Sequence, residues 1–181
     1  GDHQKWEVKI KDYFPIGEKN PVPFLTIDQL LKTHSFTTYT DKTKTVKIRQ
    51  GEWVVNNSLI IPENTTLIIP KGTTLKFSPN SALIAKGAVI IQGTKDLPVI
   101  LTGVDKQKYW QGIVVLNSLK VSNWSHAKIS YTSGITQNGW ELTGGVTFYE
   151  SDIEMDNIHF VGNHAEDALN IVRSKFKLKN I

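Results

Sequence analysis

From Val46 onward the chain carries short apolar runs at close intervals: Trp53-Val54-Val55, Leu59-Ile60-Ile61, Leu67-Ile68-Ile69, Leu75-Lys76-Phe77, Leu83-Ile84, Val89-Ile90-Ile91, Val99-Ile100-Leu101 and Ile113-Val114-Val115. Between them stand Pro62-Glu63-Asn64, Pro70-Lys71-Gly72, Ser78-Pro79-Asn80, Lys86-Gly87 and Gln92-Gly93. Pro fixes φ, Gly and Asn accept unusual backbone angles, and their recurrence marks a turn after almost every run. No interval leaves room for a crossover helix. The pattern predicts a sandwich, a barrel or a solenoid of coils, and internal repetition decides among them.

Residues 1–45 read differently. They hold Pro15, Pro21 and Pro23 and one amphipathic segment, Thr26-Ile27-Asp28-Gln29-Leu30-Leu31-Lys32. Thr26 is placed to cap a helix, and Ile27, Leu30 and Leu31 fall at i, i+3 and i+4, so three apolar side chains share one face. Such a helix needs a hydrophobic surface to sit on. Residues 1–45 are therefore expected to form an N-terminal cap with one short helix, and residues 46–181 the repeating body.

Repetition is clearest near the C-terminus, where Ser151-Asp152-Ile153-Glu154-Met155-Asp156-Asn157-Ile158 recurs 23 residues later as Ser174-Lys175-Phe176-Lys177-Leu178-Lys179-Asn180-Ile181. Val146 and Phe148 map onto Leu169 and Ile171 at the same offset. An earlier, degenerate copy aligns Leu119, Val121, Asn123 and Trp124 with Ile153, Met155, Asn157 and Ile158 at an offset of 34, which leaves eleven extra residues for a loop within residues 132–142. A period of this size divided into three strands matches one turn of a parallel β-helix, each strand stacking about 4.8 Å above its counterpart. Ile153 is then expected over Phe176 and Met155 over Leu178 in the interior, with Asn123, Asn157 and Asn180 forming an amide ladder at a turn. On the outward side Asp152, Glu154 and Asp156 meet Lys175, Lys177 and Lys179. That opposition of sign turns an apparent acidic cluster into a device that fixes register.

Composition agrees. Thr, Ile and Val together supply 50 of 181 residues, which favours pleated strands over a helical bundle. With 21% charged and 39% hydrophobic residues the chain is not a disordered one, and its apolar runs are too short to cross a bilayer. The net charge of +4 is dispersed: residues 1–50 hold nine Lys or Arg against six Asp or Glu, and the remainder twelve against eleven. No dense basic stripe tracks phosphates, so no nucleic-acid partner is expected. The chain has no cysteine, which excludes a disulfide scaffold, a Cys-ligated zinc and a thiol nucleophile. The opening Gly1-Asp2-His3-Gln4 shows neither an initiator Met nor an apolar signal core, so compartment is left open by these residues.

The stretch Ile60-Ile61-Pro62-Glu63-Asn64-Thr65-Thr66-Leu67, followed by Pro70-Lys71-Gly72-Thr73-Thr74-Leu75-Lys76-Phe77, Pro98-Val99-Ile100-Leu101-Thr102 and Trp110-Gln111-Gly112-Ile113, resembles the opening coils of right-handed parallel β-helix proteins. That class includes pectate lyases, polygalacturonases, epimerases and many exported bacterial proteins without assigned activity. The resemblance covers residues 46–181. It implies an all-β, right-handed parallel β-helix, a single-stranded solenoid with a short helical cap, and a secreted or cell-surface location. These are scaffold motifs, and a fold does not fix a function.

Of the chemistry that the resemblance implies, little is matched. A polygalacturonase-like site would need an Asn-Thr-Asp triplet, an Asp pair and a Gly-His-Gly segment, none of which occurs; Arg173-Ser174-Lys175 alone fits, and Lys175 already has a place opposite Asp152. A pectate-lyase-like site would need several acids around calcium and a basic residue, and Glu166-Asp167 with Arg173 and Lys175 is the nearest approach. The segment His164-Ala165-Glu166-Asp167-Ala168-Leu169-Asn170 reads first as a polar turn and second as a ligand contact. His126 aligns with Phe160 and is expected to be partly buried and hydrogen-bonded, while His3, His34 and His159 have no sequence partners. Gly144-Gly145 precedes no helix and makes no phosphate loop.

Aromatic rings can lie on the apolar faces of sugars. Trp53, Trp110 and Trp124 fall in or beside strands and are expected in the core. Trp140 ends the inserted loop, and with Tyr131, Tyr149, His164, Glu166, Asp167 and Arg173 it is the candidate glycan-binding set. No metal or cofactor is expected. Two readings follow: a non-catalytic exported or surface module that serves as scaffold or binds polysaccharide, and a polysaccharide lyase, epimerase or glycoside hydrolase with part of its site outside this chain. The sequence stops at Ile181 within a repeat copy, so the last coil is expected either to continue in a longer protein or to pair end to end with another copy.

Overall fold

The computed structural model describes residues 25–137 and 140–181. Pro15, Pro21, Pro23 and the opening residues lie outside the described residues, as does the Trp140 side chain. In chain order the elements are α1 (Ile27–Thr33), β1 (Thr37–Thr40), β2 (Thr45–Ile48), β3 (Glu52–Val55), β4 (Leu59–Ile61), β5 (Thr66–Pro70), β6 (Thr74–Phe77), β7 (Ala82–Ala85), β8 (Val89–Gln92), β9 (Val99–Gly103), β10 (Gly112–Leu116), β11 (Ser122–Ser130), β12 (Ile135–Gln137), β13 (Trp140–Leu142), β14 (Val146–Tyr149), β15 (Ile153–Val161), β16 (Asn170–Val172) and β17 (Phe176–Lys179). Each apolar run of the sequence is a strand.

The strands stack in parallel on three faces. The first holds β2, β5, β8, the opening halves of β11 and β15, and β17; the second holds β3, β6, β9 and the closing halves of β11 and β15. The third holds β4, β7, β10, β14 and β16. The chain visits the faces in turn, which makes it a parallel β-helix. Side chains alternate in and out along each strand, so Leu67 and Ile69 on β5, Val89 and Ile91 on β8, and Leu75 and Phe77 on β6 are buried in a common interior. Full burial of each such side chain stabilises by about 1.5–3 kcal/mol. Large rings fill the wider coils: Phe77 stacks on Trp110 at 4.1 Å, and Trp124 meets Phe148 edge-on at 5.2 Å. Trp110 and Trp124 are core residues as expected, and Trp53 packs half-buried against the same cluster.

At the N-terminal end Thr26 caps α1 as its sequence predicts. The Thr26 hydroxyl accepts from the Gln29 backbone at 3.3 Å, and the Gln29 side chain accepts from the Thr26 backbone at 2.9 Å. Leu30 is fully buried, with Ile27 and Leu31 packed against the core. β1 returns antiparallel along β2 and covers that edge of the first face.

The 23-residue repeat holds: Ile153 pairs with Phe176, Glu154 with Lys177, Met155 with Leu178 and Asp156 with Lys179, while Phe148 pairs with Ile171. Ile153 and Met155 are buried, but Phe176 and Leu178 are 64% and 38% exposed, because among the described residues no strand lies over β17. The earlier copy is corrected. Ser122 pairs with Ile153, Trp124 with Met155 and Ala127 with Ile158, an offset of 31 rather than 34. Leu119 and Val121 imitate strand residues but belong to a loop, where Leu119 is 91% exposed. Consequently His126 lies over Asn157 rather than Phe160, and Asn123 meets Glu154 rather than Asn157.

The turn ladder thus runs His126, Asn157, Asn180, all with left-handed φ of 46°, 57° and 52°. These residue types tolerate that region best after Gly, and one such residue bends β11 and β15 from the first face onto the second. The amides do not bond one another. The Asn157 and Asn180 side chains both donate to Asp156 Oδ1, at 2.9 and 3.1 Å.

The inserted residues of the widest coil form the β12–β13 antiparallel hairpin. Ile135 and Leu142 pack on the outer side of the third face with Ile60, Ile84, Val114, Leu116 and Tyr149, making a second apolar layer. Hence β7, β10 and β14 are buried on both sides.

Candidate functional site

With the third face covered by the hairpin, outward side chains remain open on the first. Two rows run across its strands. One is Ile68, Ile90, Asn123, Glu154 and Lys177; the other is Pro70, Gln92, Ser125, Asp156 and Lys179. They are outward because Leu67, Ile69, Ile91, Trp124 and Met155 take the inward positions of the same strands. Along β8, β11, β15 and β17 these rows line an open groove of about 470 Å³.

Its chemistry is graded. Ile68, Pro70 and Ile90 give an apolar border, Gln92, Asn123 and Ser125 offer amides and a hydroxyl, and Glu154, Asp156, Lys177 and Lys179 offer charges. Asp156 is occupied by the two asparagine amides and by Lys179 Nζ at 3.8 Å. Ser125 Oγ lies 2.9 Å from His126 Nδ1, so that half-buried histidine is hydrogen-bonded as expected. Glu154 and Lys177 are exposed, and neither has an ion-pair partner within 4 Å among the described residues. Also among them, no three His, Asp or Glu side chains converge to hold a metal ion. The groove can present hydrogen-bonding groups on successive rungs to an extended polar ligand.

The residues singled out from the sequence lie elsewhere. Tyr149 and Arg173 come together on the third face: Arg173 Nη1 donates to the Tyr149 hydroxyl at 2.9 Å and sits 3.5 Å from Glu150 Oε1. Tyr149 is buried, and Arg173 covers it. Tyr131 lies at the corner between the second and third faces, its ring so close over Gly162 that a Cβ there would stand 2.8 Å from it. His164 stacks on Tyr109 at 4.7 Å and donates its backbone N–H to Thr132 O at 2.7 Å. Glu166 is exposed, and Asp167 serves the corner through its carbonyl, which accepts from Gly145 N at 2.8 Å. Trp140 pairs with Gln137 in the hairpin backbone.

Sequence reasoning passed over Gln92, Asn123 and Ser125. Their signal is the alternation itself: each stands beside a core residue, Ile91 or Trp124, and so faces outward, and the correct offset aligns them.

Among the described residues no helix is long and apolar enough to cross a membrane. The model of a family described as "Pectate-lyase like beta helix domain" matches residues 38–145. Comparison with curated proteins and with solved structures returned no match.

Proposed function

Because the chain belongs to the family of pectate-lyase-like β-helix domains, we propose that it is a non-catalytic module, secreted or on the cell surface, that binds polysaccharide along the first face. The supporting observation is the groove across β8, β11, β15 and β17, where Gln92, Asn123 and Ser125 stand on adjoining rungs beside the apolar Ile90. A glycan presents the same mixture, hydroxyls around its rings and C–H faces between them, and sites for such ligands combine apolar surface with a few placed polar groups. The engagement of Asp156 by three neighbours favours a structural carboxylate over an acid or base.

One observation favours the second reading, a lyase, epimerase or hydrolase: Glu154 and Lys177 are a carboxylate and an ammonium on neighbouring rungs that open onto the groove.

The test titrates the purified chain with acidic and neutral polysaccharides by calorimetry while ultraviolet absorbance and reducing-end assays follow turnover. Binding without turnover is expected, weakened roughly ten- to hundredfold by Gln92→Ala combined with Asn123→Ala, since two hydrogen bonds are lost. Turnover abolished by Glu154→Gln would replace the module with the enzyme, and absence of both binding and turnover would overturn each reading.

A further inference from the structure

Between β10 and β11 the chain makes a short loop, Asn117-Ser118-Leu119-Lys120-Val121, in which Leu119 is 91% and Val121 43% exposed. Their exposure is not that of an open end. β10 lies between β7 and β14, and β11 between β8 and β15, so described coils stand on both sides of the loop. Its backbone is tied to the next coil. Asn117 N–H donates to Tyr149 O at 3.0 Å, Ser118 N–H to Oγ of the buried Ser151 at 3.0 Å and Ser122 N–H to Asp152 O at 2.9 Å, while Ser118 Oγ donates to Lys120 O at 2.7 Å. A single exposed leucine is ordinary; the position of this one is informative. Ser122 is buried and Asn123 exposed, so by alternation Val121 is the next outward residue, about 6.6 Å along the strand from Asn123. Asn123 Nδ2 donates to Val121 O at 3.4 Å, which joins a groove amide to the loop. With Ile68 and Ile90 on the preceding rungs, Val121 and Leu119 continue the apolar border of the groove toward the third face. That border is aliphatic. Trp124, the aromatic residue in the lining of the groove, faces inward at 2% exposure, so its ring is not laid out for a sugar face.

We propose that loop 117–121 is a lip that selects polysaccharides carrying O-acyl groups, with Leu119 and Val121 packing on the acyl methyl. This rests on the reading of the first-face groove as a glycan site. Aliphatic side chains gain by burying a methyl group, whereas a sugar hydroxyl set against them would give up water for nothing. Reach points the same way. The polar row Asn123, Gln92 and Ser125 holds the sugar ring, and the lip stands to one side of that row, so a group that meets it has to project beyond the ring. An ester-linked acyl group does so, and the C–H faces of the ring do not.

The probes are acetylated xylo-oligosaccharides and acetylated manno-oligosaccharides, each titrated by calorimetry before and after mild alkali removes the acetyl groups. The full chain is expected to bind the acetylated form roughly three- to tenfold more tightly, which corresponds to burial of one or two methyl groups. Leu119→Ser combined with Val121→Thr, whose folding is checked by a thermal melt, is expected to bring the ratio of the two affinities to one. Gln92→Ala is expected to weaken both forms and keep the ratio. Equal affinity of the full chain for the two forms would overturn the lip and leave the groove standing, and so would a preference for the acetylated form that survives the double variant. Failure of both forms to bind would overturn the groove reading and the lip with it.

Discussion

Asn157 changes the direction of the chain within a single residue, and the cost of that turn depends on its side chain. A left-handed φ costs most residues about 1–2 kcal/mol, Asn less, and Gly nothing. Asn157→Ala is therefore expected to lower unfolding free energy by about 1–2 kcal/mol and to free Asp156 of one donor, whereas Asn157→Gly loses only the amide. Urea titrations of the two variants separate these terms. Two coils earlier, Gly93 packs against the Ser125 and His126 carbonyls, into which a Cβ would run, so Gly93→Ala is expected to cost more than Asn157→Ala. Asn157 and Asn180 were legible in the sequence because Asn at a repeated offset signals a turn, whereas Asn123, expected beside them, lies on the strand opposite Glu154. His126 was not, since the loop residues Leu119 and Val121 mimic a strand and shift the alignment by three.

At the same scale, His34 ends α1 at 2% exposure, its Nε2 3.3 Å from Ser58 O. Burial holds its pKa below the ordinary 6.5, partly offset by the Ser58 hydrogen bond. As pH falls below 6.5 the unfolded chain takes up the proton first. Stability is then full above that value and declines as pH drops toward the folded pKa. Unfolding midpoints should fall between pH 7.5 and pH 5.5, and His34→Gln should flatten that slope; an unchanged slope would remove His34 as its source.

At the scale of elements, the strands were legible and the inserted hairpin was legible only as an interval. Periodicity assigns Leu67 and Ile69 inward because the strand alternates, but it says nothing about why β10 is buried on both sides. That answer is non-local: Ile135 and Leu142 arrive from β12 and β13 to cover Val114 and Tyr149. Ile135→Ser would remove apolar burial and leave a hydroxyl without a partner, at about 2–4 kcal/mol. Thermal melts should show the loss, and binding of a hydrophobic dye should rise as the outer layer of the third face loosens. A variant with native stability would show that the hairpin merely rests on that face. The candidate glycan-binding residues were less legible for a related reason. Tyr149 and Arg173 attract notice as aromatic and cationic, yet the outward side of their face is where the hairpin packs, whereas the plain amides of Gln92 and Asn123 are exposed among the described residues.

At the scale of the molecule, the three faces divide the work. The interior holds the coils together, the third face takes the hairpin, and the first leaves a groove that crosses four rungs, from β8 through β11 and β15 to β17. Rungs are about 4.8 Å apart, so the groove runs about 14 Å from first to last, a distance comparable with three or four linked sugars. A ligand lying along the axis gains contacts with each rung it reaches and none afterward. Affinity is therefore expected to rise steeply with oligosaccharide length up to about four units and then level off, in a calorimetric series of defined chain lengths. If the glycan instead lay along a single strand, it would meet one rung, and two units would bind as well as four. Gln92→Ala distinguishes the geometries further: under axial binding it removes the contribution of one end, weakening four-unit ligands while leaving shorter ones that sit on β11 and β15 unchanged.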